Sequence, residues 1–113
     1  MQVTIKLTTT GRRSGDPREV TLYAFEDADR LVVVGSLGGA ARDPGWVHNL
    51  RDEPRAVVAR GSDEHTVRAT EVDGPERERL WELVSEAFPL YRTYQRRTKR
   101  HIPLFVLEPV RSG

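Results

Sequence analysis

The chain has no cysteine, a single methionine, and a net charge of only +1 over 113 residues. Without thiols there is no disulfide framework and no thiolate ligand for zinc. The histidines, His48, His65 and His101, are scattered without paired spacing, so they predict surface or hydrogen-bonding roles and no metal site. The longest apolar stretch, Leu31-Val-Val-Val34, is strand-sized, far short of the roughly 18 residues a membrane span requires. Residues 1–20 lack the continuous apolar core of a secretory signal, and with no cysteine the cytoplasm is the expected compartment. Near-neutral charge excludes a whole-molecule electrostatic nucleic-acid binder. Two nucleotide motifs are also missing. Gly35-Ser-Leu-Gly-Gly39 is not a G-x-G-x-x-G fingerprint, and Gly11-Arg-Arg-Ser-Gly15 has neither the lysine nor the spacing of a P-loop. Ser36, His48 and Asp43 supply the residue types of a serine triad, but nothing in their spacing supports one.

What the chain does have is strand periodicity and turn residues. Its length predicts one domain, residues 1–113. Val3, Ile5 and Leu7 alternate with Thr4, Lys6 and Thr8, the period of a half-buried strand. A second strand is expected from about Glu19 to Glu26, with both faces covered, and a third over 30–36, the most β-branched and central. Leu37-Gly-Gly-Ala-Ala41 reads as a flexible corner. Asp43 is an N-cap candidate with Pro44 at the first helical position, and Pro54 ends the short helix. Strands over 55–60 and 66–72 form a hairpin across Gly61-Ser-Asp-Glu64. Pro75 opens a helix with apolar Leu80, Leu83, Val84 and Ala87; Pro89 breaks it, a second short helix covers 90–98, and a strand over 101–108 closes the chain. The expected fold is mainly β: about six antiparallel strands curled into a barrel, with short helices outside.

Two segments carry chemistry beyond this scaffold. In Gly11-Arg-Arg-Ser-Gly15, Arg12, Arg13 and Ser14 sit on a glycine-rich bend. Backbone N–H groups there can form an anion-binding nest and the guanidinium forks can donate in pairs. A solvated hairpin tip is the plainer alternative. In Ala87-Phe-Pro-Leu-Tyr-Arg-Thr-Tyr-Gln95, Tyr91 and Tyr94 fall near one helix face with Phe88 just before it. Phenols suit a pocket wall that must also donate a hydrogen bond, while packing on the sheet is the better account of Phe88. Trp46 fits a pocket or the core equally well. Asn49, on the same short helix, needs partners if it is buried.

In series, these segments resemble the deazaflavin (coenzyme F420)-dependent nitroreductase family of split β-barrel proteins. The resemblance rests on Leu7-Thr-Thr-Thr-Gly-Arg-Arg-Ser-Gly-x-Pro-Arg18, Arg30-Leu-Val-Val-Val-Gly-Ser36, Asp43-Pro-Gly-Trp-Val-His-Asn-Leu50, Glu76-Arg-Glu-Arg-Leu-Trp81, Phe88-Pro-Leu-Tyr-Arg-Thr-Tyr-Gln95 and Ile102-Pro-Leu-Phe-Val-Leu-Glu-Pro109. It implies an FMN-binding-type split barrel that takes the 8-hydroxy-5-deazaflavin cofactor and passes a hydride to a quinone, a nitro compound or a similar electron-poor acceptor. It further implies that Arg12, Arg13, Ser14 and Gly15 meet the cofactor's anionic tail, with Arg42 able to assist. Val34, Gly35, Ser36, Trp46 and Asn49 would hold the ring, and Tyr91 and Tyr94 would face the acceptor as catalytic residues. Leu37 stands where many relatives have a lysine, and Phe88 where many have tyrosine. The chain begins at its first strand, whereas relatives often begin with a helical segment, so a soluble protein with a more open site is expected.

Other readings remain at this point. An FMN-dependent split-barrel oxidoreductase would use Arg12 and Arg13 for the FMN phosphate, and a non-catalytic deazaflavin carrier would use the same pocket. RNA binding through residues 92–100 has the right residue types, but the near-neutral total charge opposes it. The expected partners are a small-molecule acceptor and a second copy of the chain, without nucleic acid or membrane span.

Overall fold

The structure, a computed structural model, describes residues 1–110. Alternation along β1 (Gln2–Thr10) buries Ile5, Leu7 and Thr9 and leaves Gln2, Thr4 and Lys6 outside. The loop 11–16 reverses the chain into β2 (Pro17–Asp27), placing Leu7 opposite Val20 and Ile5 opposite Leu22. Ala28 and Asp29 turn it again into β3 (Arg30–Val34). After a single 3-10 turn at Leu37–Gly39 come α1 (Gly45–Asp52), β4 (Arg55–Arg60), β5 (Asp63–Glu71), α2 (Gly74–Ala87), α3 (Leu90–Arg97) and β6 (Leu104–Pro109).

All the strand pairings are antiparallel, in the order β1-β2-β3-β6-β5-β4, and β4 pairs back onto β1 to close the barrel. Closure gives every strand two neighbours, although β2 meets β3 only over Phe25–Asp27 and β1 meets β4 only over Lys6–Thr8. No strand is therefore central in the sense expected for β3. What distinguishes β3 is burial on both faces: Val33 points into the barrel, while Val32 and Val34 pack outward under the helices.

Two apolar layers result. The barrel interior joins Ile5, Leu7, Val33, Val58, Val67, Phe105 and Leu107, and α1 stoppers one end with Trp46, Val47 and Leu50. The outer layer sets Leu80 and Val84 of α2 and Tyr91 of α3 against Phe25, Val32, Leu104 and Val106. Fully burying a side chain of this size is worth ~1.5–3 kcal/mol relative to exposure.

Several boundaries differ from the sequence reading, each for a visible reason. β2 is covered on both faces only at Ala24 and Phe25; Arg18, Thr21 and Tyr23 stay exposed because no helix reaches that half of the strand. β3 stops at Val34, since the carbonyls of Gly35 and Ser36 bond to the Arg100 guanidinium instead of a neighbouring strand. β5 begins at Asp63, because Gly61, with φ of 61°, allows a tight turn that pairs Arg60 with Asp63. β6 begins at Leu104, after Pro103, which has no N–H for a ladder. Asp43 does not cap α1. Pro44 holds the N-cap position and the Asp43 carboxylate is paired with Arg100 and Arg51.

Candidate functional site

A cleft of about 1170 Å³ lies outside the barrel. Its walls come from the 11–16 loop, the uncovered half of β2, the segment from Val34 to Trp46, and the aromatic face of α3 with Phe88. The residues that leave β2 half-covered are thus the ones that make the cleft.

One end is cationic. Arg12, Arg13, Arg18 and Arg42 all line it and are exposed. Elsewhere among the described residues Arg30, Arg51, Arg60, Arg79, Arg92 and Arg100 form salt bridges, whereas Arg55, Arg68, Arg77, Arg96 and Arg97 form none but do not line the cleft. Among the described residues the four cleft arginines form none. A molecule with almost no net charge has gathered uncompensated positive potential in one concave place, where low-dielectric walls focus it.

The arginine turn is held rigidly. Gly15 N–H donates to the Gly11 carbonyl and Gly11 N–H to the Asp16 carbonyl, each at 2.8 Å. Asp16 N–H donates to Ser14 Oγ at 3.1 Å. Asn49 reaches in from α1: its Oδ1 accepts from Arg12 N–H at 3.1 Å and its Nδ2 donates to Thr9 Oγ1 at 3.0 Å. The N–H groups of Gly11, Arg12, Gly15 and Asp16 all have acceptors within the protein, which leaves those of Arg13 and Ser14 as the turn's backbone donors. The guanidinium groups of Arg12 and Arg13 stand beside these donors, and their geometry suits planar phosphate and carboxylate oxygens. Asn49 lines the cleft, and its amide also holds the turn in place.

The opposite wall is aromatic. Phe88 and Tyr91 ring centroids lie 4.7 Å apart, Tyr91 and Tyr94 6.3 Å, and Tyr23 stands 5.8 Å from Phe88. Tyr91 is only 5% exposed, whereas Tyr94 is half-buried. Burial first, then the neighbouring phenols of Tyr94 and Tyr23, hold the Tyr91 phenol well above its ordinary range, so it remains a hydrogen-bond donor. Trp46 satisfies both sequence readings: it packs edge-on against Phe105 at 5.9 Å inside the barrel mouth and also lines the cleft.

Of the residues expected from sequence, Arg12, Arg13, Ser14, Val34, Ser36, Arg42, Trp46, Asn49, Tyr91 and Tyr94 all line this cleft. Gly15 and Gly35 do not. Gly15 faces open space at the back of its turn. Gly35 lies beneath the floor, where a Cβ would come within 2.8 Å of Pro103 and Val47, so its role is close packing. The sequence reading missed Arg18 and Tyr23. Arg18 belongs to the Gly-x-Pro-Arg run already noted, and its Nη2 lies 3.4 Å from Ser14 Oγ. Tyr23 carries no sequence signal, because only the absence of a covering helix turns its strand face into a wall. Arg100, last of the basic run 92–100, is not free for nucleic acid; its side chain is 13% exposed and bound to the 35–43 segment.

Barrel and cleft together define a split-barrel redox protein of the flavin or deazaflavin type. The profile of the F420H(2)-dependent quinone reductase family matches residues 1–109, and the chain belongs to that family. An F420H(2)-dependent quinone reductase of Mycobacterium tuberculosis is 39% identical over 104 residues, covering 89% of this chain and 70% of that protein. A solved F420-H2 dependent reductase superposes with a TM-score of 0.85 at 38% identity, covering 93% of each chain. A second solved structure, described as a domain-swapped dimer, gives a TM-score of 0.86 at 38% identity, with 93% of this chain and 79% of that one covered.

Proposed function

We propose that this protein reduces quinones, or similarly electron-poor acceptors, with reduced coenzyme F420. The observation that carries the reading is the polarity of the cleft: four unpaired arginines at one end and the phenols of Tyr91, Tyr94 and Tyr23 toward the other. The residues fit the cofactor. A volume of about 1170 Å³ accommodates a tricyclic ring with its phosphate, and the arginines match a phosphate and a carboxylate-rich tail.

When bound, the reduced deazaflavin supplies a hydride at C5, so the protein contributes position and electrostatics. Arg12, Arg13, Arg18 and Arg42 hold the anionic tail. Val34, Ser36 and Trp46 border the ring. Tyr91, whose raised phenol stays protonated, donates a hydrogen bond to the acceptor oxygen on which negative charge develops, and Tyr94 flanks it. Phe88 makes this wall more apolar, which favours lipophilic acceptors. No helix among the described residues is long and apolar enough to cross a membrane. The reading places the protein in the cytoplasm, and the domain-swapped relative supports a homodimer.

The test is an anaerobic titration with coenzyme F420 followed by Trp46 fluorescence, then oxidation of the reduced cofactor by menadione with and without protein. Saturable binding and accelerated oxidation are expected. Binding of FMN with none of the deazaflavin would establish the flavin enzyme instead, and deazaflavin binding without accelerated oxidation a carrier.

A further inference from the structure

The segment 35–43 passes through an unfavourable backbone. Leu37 has φ of 44°, followed by Gly38 at 63° and Gly39 at 83°. A left-handed conformation costs a leucine ~1–2 kcal/mol and persists only where its surroundings over-determine it. Arg100 supplies that determination. Its Nη1 donates to the Gly35 carbonyl at 3.0 Å, Nη2 to the Ser36 carbonyl at 2.7 Å and Nε to the Ala40 carbonyl at 2.8 Å. Asp43 Oδ1, 2.7 Å from Nη1, balances the charge. Gly39 seats the segment on α3, so close that a Cβ would stand 2.8 Å from the Tyr94 carbonyl oxygen.

In a trans peptide the N–H points opposite to the C=O. Carbonyls of Gly35 and Ser36 drawn toward Arg100 therefore turn the N–H groups of Ser36 and Leu37 away from it. Ser36 and Leu37 line the cleft and Arg100 does not. We propose that Arg100 is a positioning residue for anion binding, aiming the Ser36 and Leu37 amides into the cleft as donors to the cofactor's phosphate. A backbone pair of this kind supplies donors where Leu37 offers no side-chain cation. The inference rests on the cofactor reading above.

The experiment compares wild type with Arg100→Lys, which keeps the charge but brings three donors to the three carbonyls and the Asp43 carboxylate that Arg100 holds. Each is titrated, by Trp46 fluorescence, with coenzyme F420 and with the same deazaflavin riboside lacking phosphate and tail; thermal melting confirms folding. The expected result is about a tenfold loss of affinity for the full cofactor, a ratio equivalent to ~1.4 kcal/mol, and less than a twofold loss for the phosphate-free compound. Equal losses for both ligands would reduce Arg100 to a general structural role, and no loss for either would overturn the proposal outright. Wild type binding neither ligand would instead bring down the cofactor reading, and this inference with it. Should Arg100→Lys fail to fold, Asp43→Asn removes the charge partner and leaves the guanidinium in place; the same split between ligands is expected at about threefold, and its absence counts against the proposal.

Discussion

Asn49 and Arg12, 37 positions apart, are joined through a single carboxamide that accepts the Arg12 N–H at 3.1 Å and donates to Thr9 at 3.0 Å. Helix α1 thereby fixes the angle at which the arginine turn meets the cleft. Asn49→Ala strands a donor and an acceptor. The expected outcome is a loss of about 1–2 kcal/mol in stability, from two removed hydrogen bonds. Cofactor affinity should also fall, and Asn49→Asp, which retains an acceptor for Arg12, should recover part of it. Chemical denaturation and fluorescence titration check both, and affinity unchanged in the alanine variant would separate the turn from the site.

Arg13 is exposed, unpaired and removed from the core, so Arg13→Ala should leave the fold intact. Losing one charge-assisted contact to an anion is worth about 1.5–3 kcal/mol, at least tenfold in affinity. Binding should depend less on salt than in wild type, because one screened attraction is gone. Titrations at low and high ionic strength measure both effects; undiminished affinity returns the turn to a solvated hairpin tip.

Tyr91→Phe should preserve cofactor binding and slow turnover at saturating quinone about tenfold or more, in the range contributed by a positioned proton donor. Because burial and the neighbouring phenols raise the Tyr91 phenol, wild-type turnover should not decline as pH passes the ordinary phenol value of about 10. A decline centred there, absent in Tyr91→Phe, would contradict the environment described for this residue.

Asp27 sits at the centre of a charge network, bonded to Arg79 and Arg30, which hold its carboxyl down to about 2. A depressed carboxyl stabilises the fold above its unfolded value, 3.8, and that contribution disappears as pH falls through about 2. Wild type should therefore exceed Asp27→Asn in stability at neutral pH, with the gap shrinking below pH ~4 and closing near pH ~2. Urea melts along a pH series supply the measurement, and a pH-independent gap would assign the effect to packing.

Leu37 is 43% exposed on the cleft wall. Leu37→Lys should tighten cofactor binding by about fivefold through one added surface cation, worth ~1 kcal/mol. The phosphate-free riboside should show no such gain. Parallel titrations decide it, and equal tightening of both ligands would point to the ring instead of the anion.

The barrel was legible because its determinants are local. Alternation in β1, the β-branched run of β3 and the turn residues at Gly61 and Pro75 each specify an element without reference to the rest of the chain. The cleft was legible in part. Arg12, Arg13, Tyr91 and Tyr94 announce themselves by clustering at turn or helix spacing. Tyr23 and the clasp by Arg100 do not, since one depends on where a helix fails to cover a strand and the other on a contact across 57 positions to Asp43. Asp43 shows the same limit from the other side. Its place before Pro44 has every local mark of a helix cap, yet a buried guanidinium competes for the same carboxylate and wins.

Closure of the barrel also separates two kinds of change. The interior is filled from inward-facing strand positions and α1, whereas the cleft is assembled from loops, one uncovered strand face and a helix on the outside. Val20, Leu22 and Trp46 serve both, but Phe88, Tyr91 and Tyr94 lie outside the interior and can be exchanged without disturbing the filling of the barrel. A scaffold arranged this way can drift from one electron acceptor to another by substitutions outside the barrel interior, and its relatives need share no substrate in order to share a fold.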